Sequence, residues 1–356
     1  MFDLSAQTLG YFAAATALLG LMAYACLAGA DFGGGVWDLF ASGPRKRQQR
    51  EAIAHAMGPV WEANHVWLIF VLVVLFTCFP RGYAALMEAL FVPLHLVLAG
   101  IMLRGAAFAF RNYGPGPHNQ IEPSASRIYP QAVTHYSAWG IVFGVASVVS
   151  PLLMGLSFGV VTSGQVRLSD TGAVVAHAAW IGAYPIGCAI LALLTCAYVA
   201  AVYLIVETDG ELREDFRRRA IVAGTATAAS ALAVLWALRV DGRWLFDQLI
   251  TRALPVFVAG GIAFAFSAVA VVLRWTRAAR IFAVAQTLLM LLGWGLAYRD
   301  YLIYPDAPLT WAMAPVPTVR FMLIASVIGI AILVPALILM FRVFKTSSRD
   351  SSRGTV

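Results

Sequence analysis

Charged residues are scarce in this chain of 356 residues: Asp, Glu, Lys and Arg together make up 12%, whereas apolar residues make up 61%. A typical soluble domain carries about twice that share of charge. So much apolar surface cannot be hidden in one soluble core. The composition therefore predicts a membrane protein that crosses the bilayer many times and has no soluble domain.

Cysteine is also scarce, and the four cysteines form no Cys-x-x-Cys pair. We therefore expect neither a disulfide framework nor a metal site, and without Cys-x-x-Cys-His no covalently attached haem. The chain lacks a P-loop, a dinucleotide-binding glycine fingerprint and a His-Glu-x-x-His motif, so nothing indicates nucleotide hydrolysis or metalloprotease chemistry. No cleavable signal peptide is expected, because the first apolar run is long and lacks a basic start.

Apolar stretches long enough to cross about 30 Å of hydrocarbon recur along the whole sequence. They predict an all-α polytopic fold that forms a single membrane-embedded domain over 1–356. The nine predicted helices lie at 8–30, 58–79, 83–108, 133–160, 174–206, 218–238, 253–273, 278–297 and 319–342.

Lys and Arg are distributed unevenly between alternate loops. Of the 25 such residues, 17 fall in the loops on one side, 7 on the other, and Arg104 lies within a helix. Because cytoplasmic segments retain positive charge during insertion, we expect the N terminus outside and the C terminus in the cytoplasm. The net charge of +7 then reflects topology and attraction to anionic lipids, and no nucleic-acid partner is expected.

Four ionisable side chains stand where the predicted helices should be apolar. Asp31 follows the first apolar run, Glu62 and His65 open the second, and Arg104 closes the third. With the predicted topology all four reach the cytoplasmic boundary, since a helix advances about 1.5 Å per residue. Carboxylates at this depth usually face a bundle interior or a water-filled path. The cluster predicts a proton path, although Arg104 could instead neutralise a carboxylate structurally or extend to the headgroups.

Residues next to this cluster indicate helix packing. Gly29 and Gly33 are four apart, a spacing that lets two helix backbones approach closely. We assign Trp61 and Asn64 to helix packing as well, and tryptophans at helix ends also commonly anchor at the membrane interface.

Histidines give this chain a poor supply of haem ligands, because a b-type haem needs axial His or Met. Of the six histidines, only His95 lies near mid-membrane. We expect no haem ligand here, and we favour a hydrogen bond from His95 to a carbonyl freed by Pro93. Glu88, seven residues earlier on the same face, is a candidate member of a polar network.

Three segments outside the spans have distinctive compositions. A flexible loop is predicted at 114–119 and a disordered tail at 346–356. The loop at 298–317, rich in Tyr, Pro and Trp, is predicted to be more structured and is a candidate contact for a partner subunit.

Three motifs together carry a family resemblance: GADFGGG at 29–35, GPVWEANHVWL at 58–68 and LRGAAFAFR at 103–111. They resemble subunit II of the cytochrome bd-type quinol oxidases, in the form found in the cyanide-insensitive branch. The motifs fall within the first 160 residues, and beyond them the agreement is in helix number and loop lengths.

The resemblance implies a complex of aerobic respiration in the bacterial cytoplasmic membrane that oxidises quinol and reduces dioxygen to water. In that family the b-type haems, and haem d or a b-type substitute, belong to subunit I. Subunit II lacks haem and folds as two four-helix bundles plus one helix, here a pseudo-repeat of 1–160 and 174–298 followed by 319–342. The implied partners are subunit I, a small single-helix accessory subunit, lipids and a structural quinone.

The resemblance also implies roles for single residues. Glu62 matches an acidic residue associated with the proton route between the subunits, and Trp67 matches a tryptophan near a proposed dioxygen path. Asp31 and Arg104 match the family's first-helix Asp and third-helix Arg.

Two positions depart from the pattern of some family members, because Ala28 and Ala109 replace acidic residues there. The proton path would then rely on Glu62 and Asp31, or the complex would take its protons mainly through subunit I. An alternative function is a proton- or sodium-coupled secondary transporter. Transporters bind substrate near the midplane, whereas these carboxylates are predicted at the cytoplasmic edge.

Overall fold

The computed structural model describes residues 5–113, 138–176 and 180–353. Nine helices in these ranges are long and apolar enough to cross a membrane, which confirms the predicted all-α polytopic fold. The predicted flexible loop at 114–119 and the predicted start of the fourth span lie outside the described residues. The helices are α1 (Ala6–Leu39), α2 (Lys46–Cys78), α3 (Pro80–Ala89), α4 (Phe91–Tyr113), α5 (Ala138–Thr162), α6 (Ala183–Glu207), α7 (Gly210–Asp241), α8 (Arg243–Gln248), α9 (Leu254–Val272), α10 (Thr276–Tyr298), α11 (Leu309–Ala312) and α12 (Val316–Arg353).

Prolines explain two differences from the predicted spans. The third span is two helices, because the ring of Pro93 crowds the carbonyl of Ala89 and offers no N–H to it. The seventh span begins earlier than predicted, with α8 and a π-helical turn at Leu249–Ala253. Pro255 stands at the start of α9, where a proline is tolerated because the first helical residues need no N–H donor.

Several helices run further than predicted, and the first and the last matter most here. The first continues past residue 30 to Leu39, so that Asp31 and the glycines after it lie inside α1. The last continues to Arg353, although the sequence predicted a disordered tail from residue 346. Extending an existing helix is easier than starting one, because the costly nucleation step has already taken place.

Two short antiparallel hairpins lie between the helices. One pairs β1 (Arg167–Leu168) with β2 (Val174–Ala176), and the other pairs β3 (Tyr301–Ile303) with β4 (Ala307–Pro308). The fifth span was predicted to start at residue 174, which is wrong, since that segment is β2. Helix α6 begins instead two residues before Pro185, a residue suited to the first turn of a helix.

The loop at 298–317 is structured, as predicted. It consists of β3, β4 and α11, and it packs on this chain's own helices. The ring of Tyr304 stacks on that of Trp244 with centroids 3.8 Å apart. Arg167 of the other hairpin donates two hydrogen bonds to Asp306, at 2.7 and 3.0 Å. The two hairpins and the helix ends beneath them therefore form one packed cap.

Helix α1 is the central helix, and it packs against α2, α5, α6 and α10. Every residue from Ala28 to Val36 is buried. A Cβ atom on Gly33 would lie 1.9 Å from the backbone oxygen of Cys196 in α6, and one on Gly35 would lie 2.0 Å from Oγ of Ser147 in α5. Glycine is thus required where the neighbouring helices touch the backbone of α1.

The two glycines predicted to pack helices differ in their surroundings. A Cβ on Gly29 would lie 4.0 Å from Val199, which is an ordinary contact. The tight positions are Gly33, Gly34 and Gly35. A Cβ on Gly34 would lie 2.8 Å from Cγ of Met57.

The polar turn between α1 and α2 is fastened to the start of α7. Arg45 donates hydrogen bonds of 2.8 and 2.6 Å to the carboxylate of Asp215, and Gln49 donates one of 3.0 Å to it. This joins the first two helices to the second half of the chain.

We predict that Gly33→Ala lowers the stability of the purified protein by about 1–3 kcal/mol, because the new methyl group must displace the backbone of α6. Gly261→Ala in α9 is the matched control, since nothing lies within 4 Å of a Cβ built there. Thermal unfolding in detergent measures both. Equal losses for the two variants would show that the close approach of α1 and α6 is not what Gly33 provides.

Candidate functional site

A buried ion pair joins α1 to α4. The Asp31 and Arg104 side chains are 1% and 2% exposed. Arg104 Nη2 lies 2.5 Å from Asp31 Oδ1, and Nη1 lies 2.6 Å from Oδ2. Nη2 also donates to the backbone oxygen of Asp31 at 2.8 Å. The guanidinium thus grips both the carboxylate and the main chain of one residue.

Two further helices and two aromatic rings complete the surroundings of the pair. Asn64 of α2 donates to Asp31 Oδ2 at 2.7 Å. Arg104 Nε donates to Oγ of Ser147 in α5 at 2.8 Å. The guanidinium carbon lies 5.0 Å from the ring centre of Phe32 and 4.6 Å from that of Phe143. One polar cluster therefore ties together α1, α2, α4 and α5, with an aromatic ring near the cation on either side.

This arrangement is suited to holding helices rather than to exchanging protons. Both oxygens of Asp31 accept hydrogen bonds, and three nitrogens of Arg104 donate them. A charge-assisted, bidentate pair of this kind fixes geometry as well as charge. Removing one partner would leave an uncompensated charge inside the protein, at a cost of about 3–5 kcal/mol.

The predicted cluster of four ionisable groups is in fact divided, and this corrects the sequence interpretation. The four residues were predicted from their depth along the helices, which does not determine the direction in which each side chain points around its helix. Glu62 stands two residues before Asn64, which is about 200° around the helix. Because Asn64 faces Asp31, Glu62 points away from the pair and is exposed. His65 is half-buried, and its Nδ1 lies 2.7 Å from the backbone oxygen of Trp61.

Glu62 lies at one end of an exposed apolar face of α2. The same face presents Val66, Ile69, Val73 and Phe76, of which Ile69 and Phe76 are 61% and 63% exposed. No residue of the described ranges gives the Glu62 carboxylate a hydrogen bond or an ion pair. The chain therefore carries an unpaired acid on a surface that is otherwise suited to lipid or to another protein.

The two tryptophans of the second motif occupy different environments. The ring of Trp61 stacks on Phe108 of α4 with centroids 5.4 Å apart, in keeping with a packing role. Trp67 is buried in a cluster with Tyr24 and Phe32 of α1. Its assignment to a dioxygen path stays a prediction.

His95 and Glu88 lie on the outside of the helices. Nδ1 of His95 is 2.7 Å from the backbone oxygen of Phe91, so the hydrogen bond goes to another carbonyl than the one that Pro93 frees. Glu88 accepts a hydrogen bond of 3.3 Å from the backbone N–H of Val174 in β2. Within residues 5–113, 138–176 and 180–353, no group of three His, Cys, Asp or Glu side chains could hold a metal ion.

Sequence analysis missed several members of the polar interior, among them Asp38 and Ser147. Asp38 is 1% exposed and lies seven residues after Asp31, on the same side of α1. It was overlooked because the helix was expected to end near residue 30. Ser147, which also donates to the Phe143 carbonyl at 2.7 Å, carries no charge and stands in an apolar run, so no sequence signal distinguished it.

A second polar tie lies in the other half of the chain. The Tyr198 hydroxyl of α6 donates to Oγ of Ser267 in α9 at 2.7 Å. Ser267 in turn donates to the backbone oxygen of Ala279 in α10 at 2.9 Å. Neutral groups thus link α6, α9 and α10. In the first half of the chain, the link between α1, α4 and α5 depends on the charged side chains of Asp31 and Arg104.

We predict that Arg104→Met destabilises the protein by about 3–5 kcal/mol, because Asp31 is left charged and unpaired in the interior. The double variant Asp31→Asn with Arg104→Met removes both charges and is expected to recover part of this loss. Yield and thermal unfolding of the purified protein give the coupling between the two sites. Additive losses, without recovery in the double variant, would contradict a pairwise tie.

Comparison with known proteins is consistent with these motifs. The family profile described as "Cytochrome bd terminal oxidase subunit II" matches residues 9–123 and 125–344. The chain is 27% identical over 246 residues to cytochrome bd ubiquinol oxidase subunit 2 of Bacillus subtilis (strain 168), across 68% of this chain and 66% of that protein. It is 29% identical over 231 residues to cytochrome bd-I ubiquinol oxidase subunit 2 of Escherichia coli (strain K12), across 62% and 55%. The matched segments thus span less than two thirds of these relatives.

The fold has a counterpart among solved structures. It is similar to a chain in the structure of bd oxidase from Geobacillus thermodenitrificans, with a TM-score of 0.78 over 95% of this chain and 98% of that one, at 21% identity. A likeness at this identity concerns the fold alone, whereas the family profile covers nearly the whole sequence. The chain therefore belongs to the cytochrome bd terminal oxidase subunit II family, whose relatives named above are subunits of ubiquinol oxidases.

Proposed function

We propose that this chain is the haem-free subunit II of a bd-type quinol:dioxygen oxidase, and that it contributes Glu62 to the intake of cytoplasmic protons. The observation that carries the proposal is the position of Glu62. A carboxylate at the margin of the hydrocarbon layer is costly unless a partner or water covers it. The described part of this chain provides no such cover, so the face of α2 that contains Glu62 is assigned to the contact with subunit I.

The roles of the two carboxylates then separate. Asp31 is held by Arg104 and Asn64 and serves to fix α1 among its neighbours. Glu62 is unpaired and can bind or release a proton at Oε. His65 stands one turn after Trp61, and with its Nδ1 engaged by the Trp61 carbonyl, its Nε2 remains available to a proton.

The haems of the complex are assigned to subunit I, where they would supply the transfer of electrons to dioxygen. The three histidines in the described ranges support this assignment. His55 and His95 are exposed and His65 is half-buried, so no histidine in those ranges lies in the bundle interior where a haem would need an axial ligand.

The proposed orientation has the N terminus outside and the C terminus in the cytoplasm of a bacterial cell, as the distribution of Lys and Arg predicts. We further propose the pseudo-repeat of 1–160 and 174–298, which the two polar ties support. The quinol, the small accessory subunit and a structural quinone come from the family resemblance. Family membership argues against the transporter alternative.

We predict that Glu62→Gln slows quinol-dependent oxygen uptake by the purified complex about 100-fold, the lower end of what a positioned proton-transferring group contributes. The haem spectrum and the yield of the complex are expected to stay unchanged. The matched control is Glu51→Gln, which removes an exposed acid of the same helix that pairs with Arg47 at 2.8 Å.

Two results would overturn this assignment. Unchanged oxygen uptake in Glu62→Gln would remove Glu62 from the proton route. Loss of the haem spectrum would make Glu62 a residue of assembly. The assignment would be supported if Glu62→Gln slowed oxygen uptake and also showed a larger rate difference between H2O and D2O than the Glu51→Gln control.

A further inference from the structure

A polar cavity of about 390 Å³ opens at the end of the bundle where α1 begins. Its walls come from α1, the segment before α9 and the loop at 298–317. They include Gln7, Tyr11, Trp244, Arg252, Asp300 and Thr310. The cavity lies far from the Asp31 cluster along α1, and the proposed proton route does not use it.

Opposite charges meet at the cavity. Arg252 is hydrogen-bonded to Asp300, and the two side chains are 34% and 30% exposed. The more exposed Arg299 also places its Nε 3.6 Å from Asp300 Oδ1, beyond hydrogen-bond distance. The Tyr11 hydroxyl donates to Asp300 Oδ1 at 2.9 Å, and Gln7 donates to that hydroxyl at 3.1 Å. Burial raises the pKa of Asp300, but the hydrogen bonds from Arg252 and Tyr11 outweigh it and hold the pKa below its usual value. Asp300 is therefore an anion at neutral pH.

Both charged groups retain bonding capacity. A guanidinium has five N–H donors, and only Nη1 of Arg252 has an acceptor among the residues that the structure describes. Each carboxylate oxygen of Asp300 can accept a second hydrogen bond. The ring N–H of Trp244 likewise has no acceptor in the described ranges, while its ring stacks on Tyr304. The cavity thus offers a cation with free donors, an anion with free acceptors and an aromatic wall.

Exposed apolar side chains, of the kind that acyl chains cover, follow two of the cavity residues along the chain. Phe12 of α1 follows Tyr11 and is exposed, and Leu254 and Val258 of α9 follow Arg252 and are exposed too. Aromatic and basic residues at the end of a span are typical of the headgroup level of a bilayer. A molecule in this cavity would therefore have a polar zwitterionic part among the charges and an apolar part along the helices.

We propose that this cavity binds the headgroup of phosphatidylethanolamine from the adjacent leaflet. The phosphate would accept hydrogen bonds from Arg252, and the ammonium would donate to Asp300. Phosphatidylcholine has no N–H to donate, and phosphatidylglycerol has no cation for Asp300. The site is therefore expected to prefer ethanolamine lipids over both.

The test uses the complex of this chain with its partner, delipidated in mild detergent and titrated with each of the three lipids. Native mass spectrometry counts the lipids that remain bound. We expect phosphatidylethanolamine to bind most tightly, and Arg252→Gln to weaken it about tenfold, the effect of losing one charge-assisted contact. Arg167→Gln is the matched control, because it breaks an Arg–Asp pair in the same cap outside the cavity.

A second variant separates binding from folding. Thr310→Trp fills the cavity while leaving Arg252 and Asp300 in place, and it is expected to reduce phosphatidylethanolamine binding as strongly with unchanged thermal unfolding. Equal retention of all three lipids would overturn the proposal in favour of a general lipid layer. An equal loss of phosphatidylethanolamine binding in Arg167→Gln and Arg252→Gln would also overturn the proposal. Displacement of the lipid by an added quinone would show that the cavity is a quinone site.

Discussion

The buried ion pair between Asp31 and Arg104 is the constraint on which the first half of the structure depends. Helix α4 packs along α5, and the hydrogen bonds from Arg104 to Asp31 connect α4 to α1. The pair is favourable only while both charges are present and both are hydrogen-bonded, because either one alone would be stranded in a low-dielectric interior. That condition fixes the relative positions of four helices at one depth.

One glycine of α1 follows from the same constraint. A Cβ on Gly35 would lie 2.0 Å from Oγ of Ser147, the atom that accepts the hydrogen bond from Arg104, so a side chain there would push α5 away from the pair. Gly33 instead permits the separate close contact between α1 and α6. The second half of the chain solves the equivalent problem with Tyr198 and Ser267, which need no compensating charge.

The sequence predicted the number of spans, because that number depends on chain length and hydrophobicity. The depth of the polar residues in the membrane stays a prediction. The sequence did not predict that Glu62 and Asp31 face different ways, since the direction of a side chain around α2 depends on which residue contacts α1, and only Asn64 reveals that. The break at Pro93 was predictable from the proline itself. Ser147 was not, because its role comes from a partner 43 residues away in the chain.

The central claim is that Asp31 is fixed by its partners while Glu62 exchanges a proton with the rest of the complex. Infrared difference spectra of the purified complex, recorded between its oxidised and reduced forms, test this most directly through the stretching band of protonated carboxyl groups. Glu62→Asp is expected to shift a carboxyl band that is present in the unmodified complex, because the new acid has a shorter side chain in the same place. A band that stays unchanged in Glu62→Asp would contradict the account and place the exchanging group elsewhere.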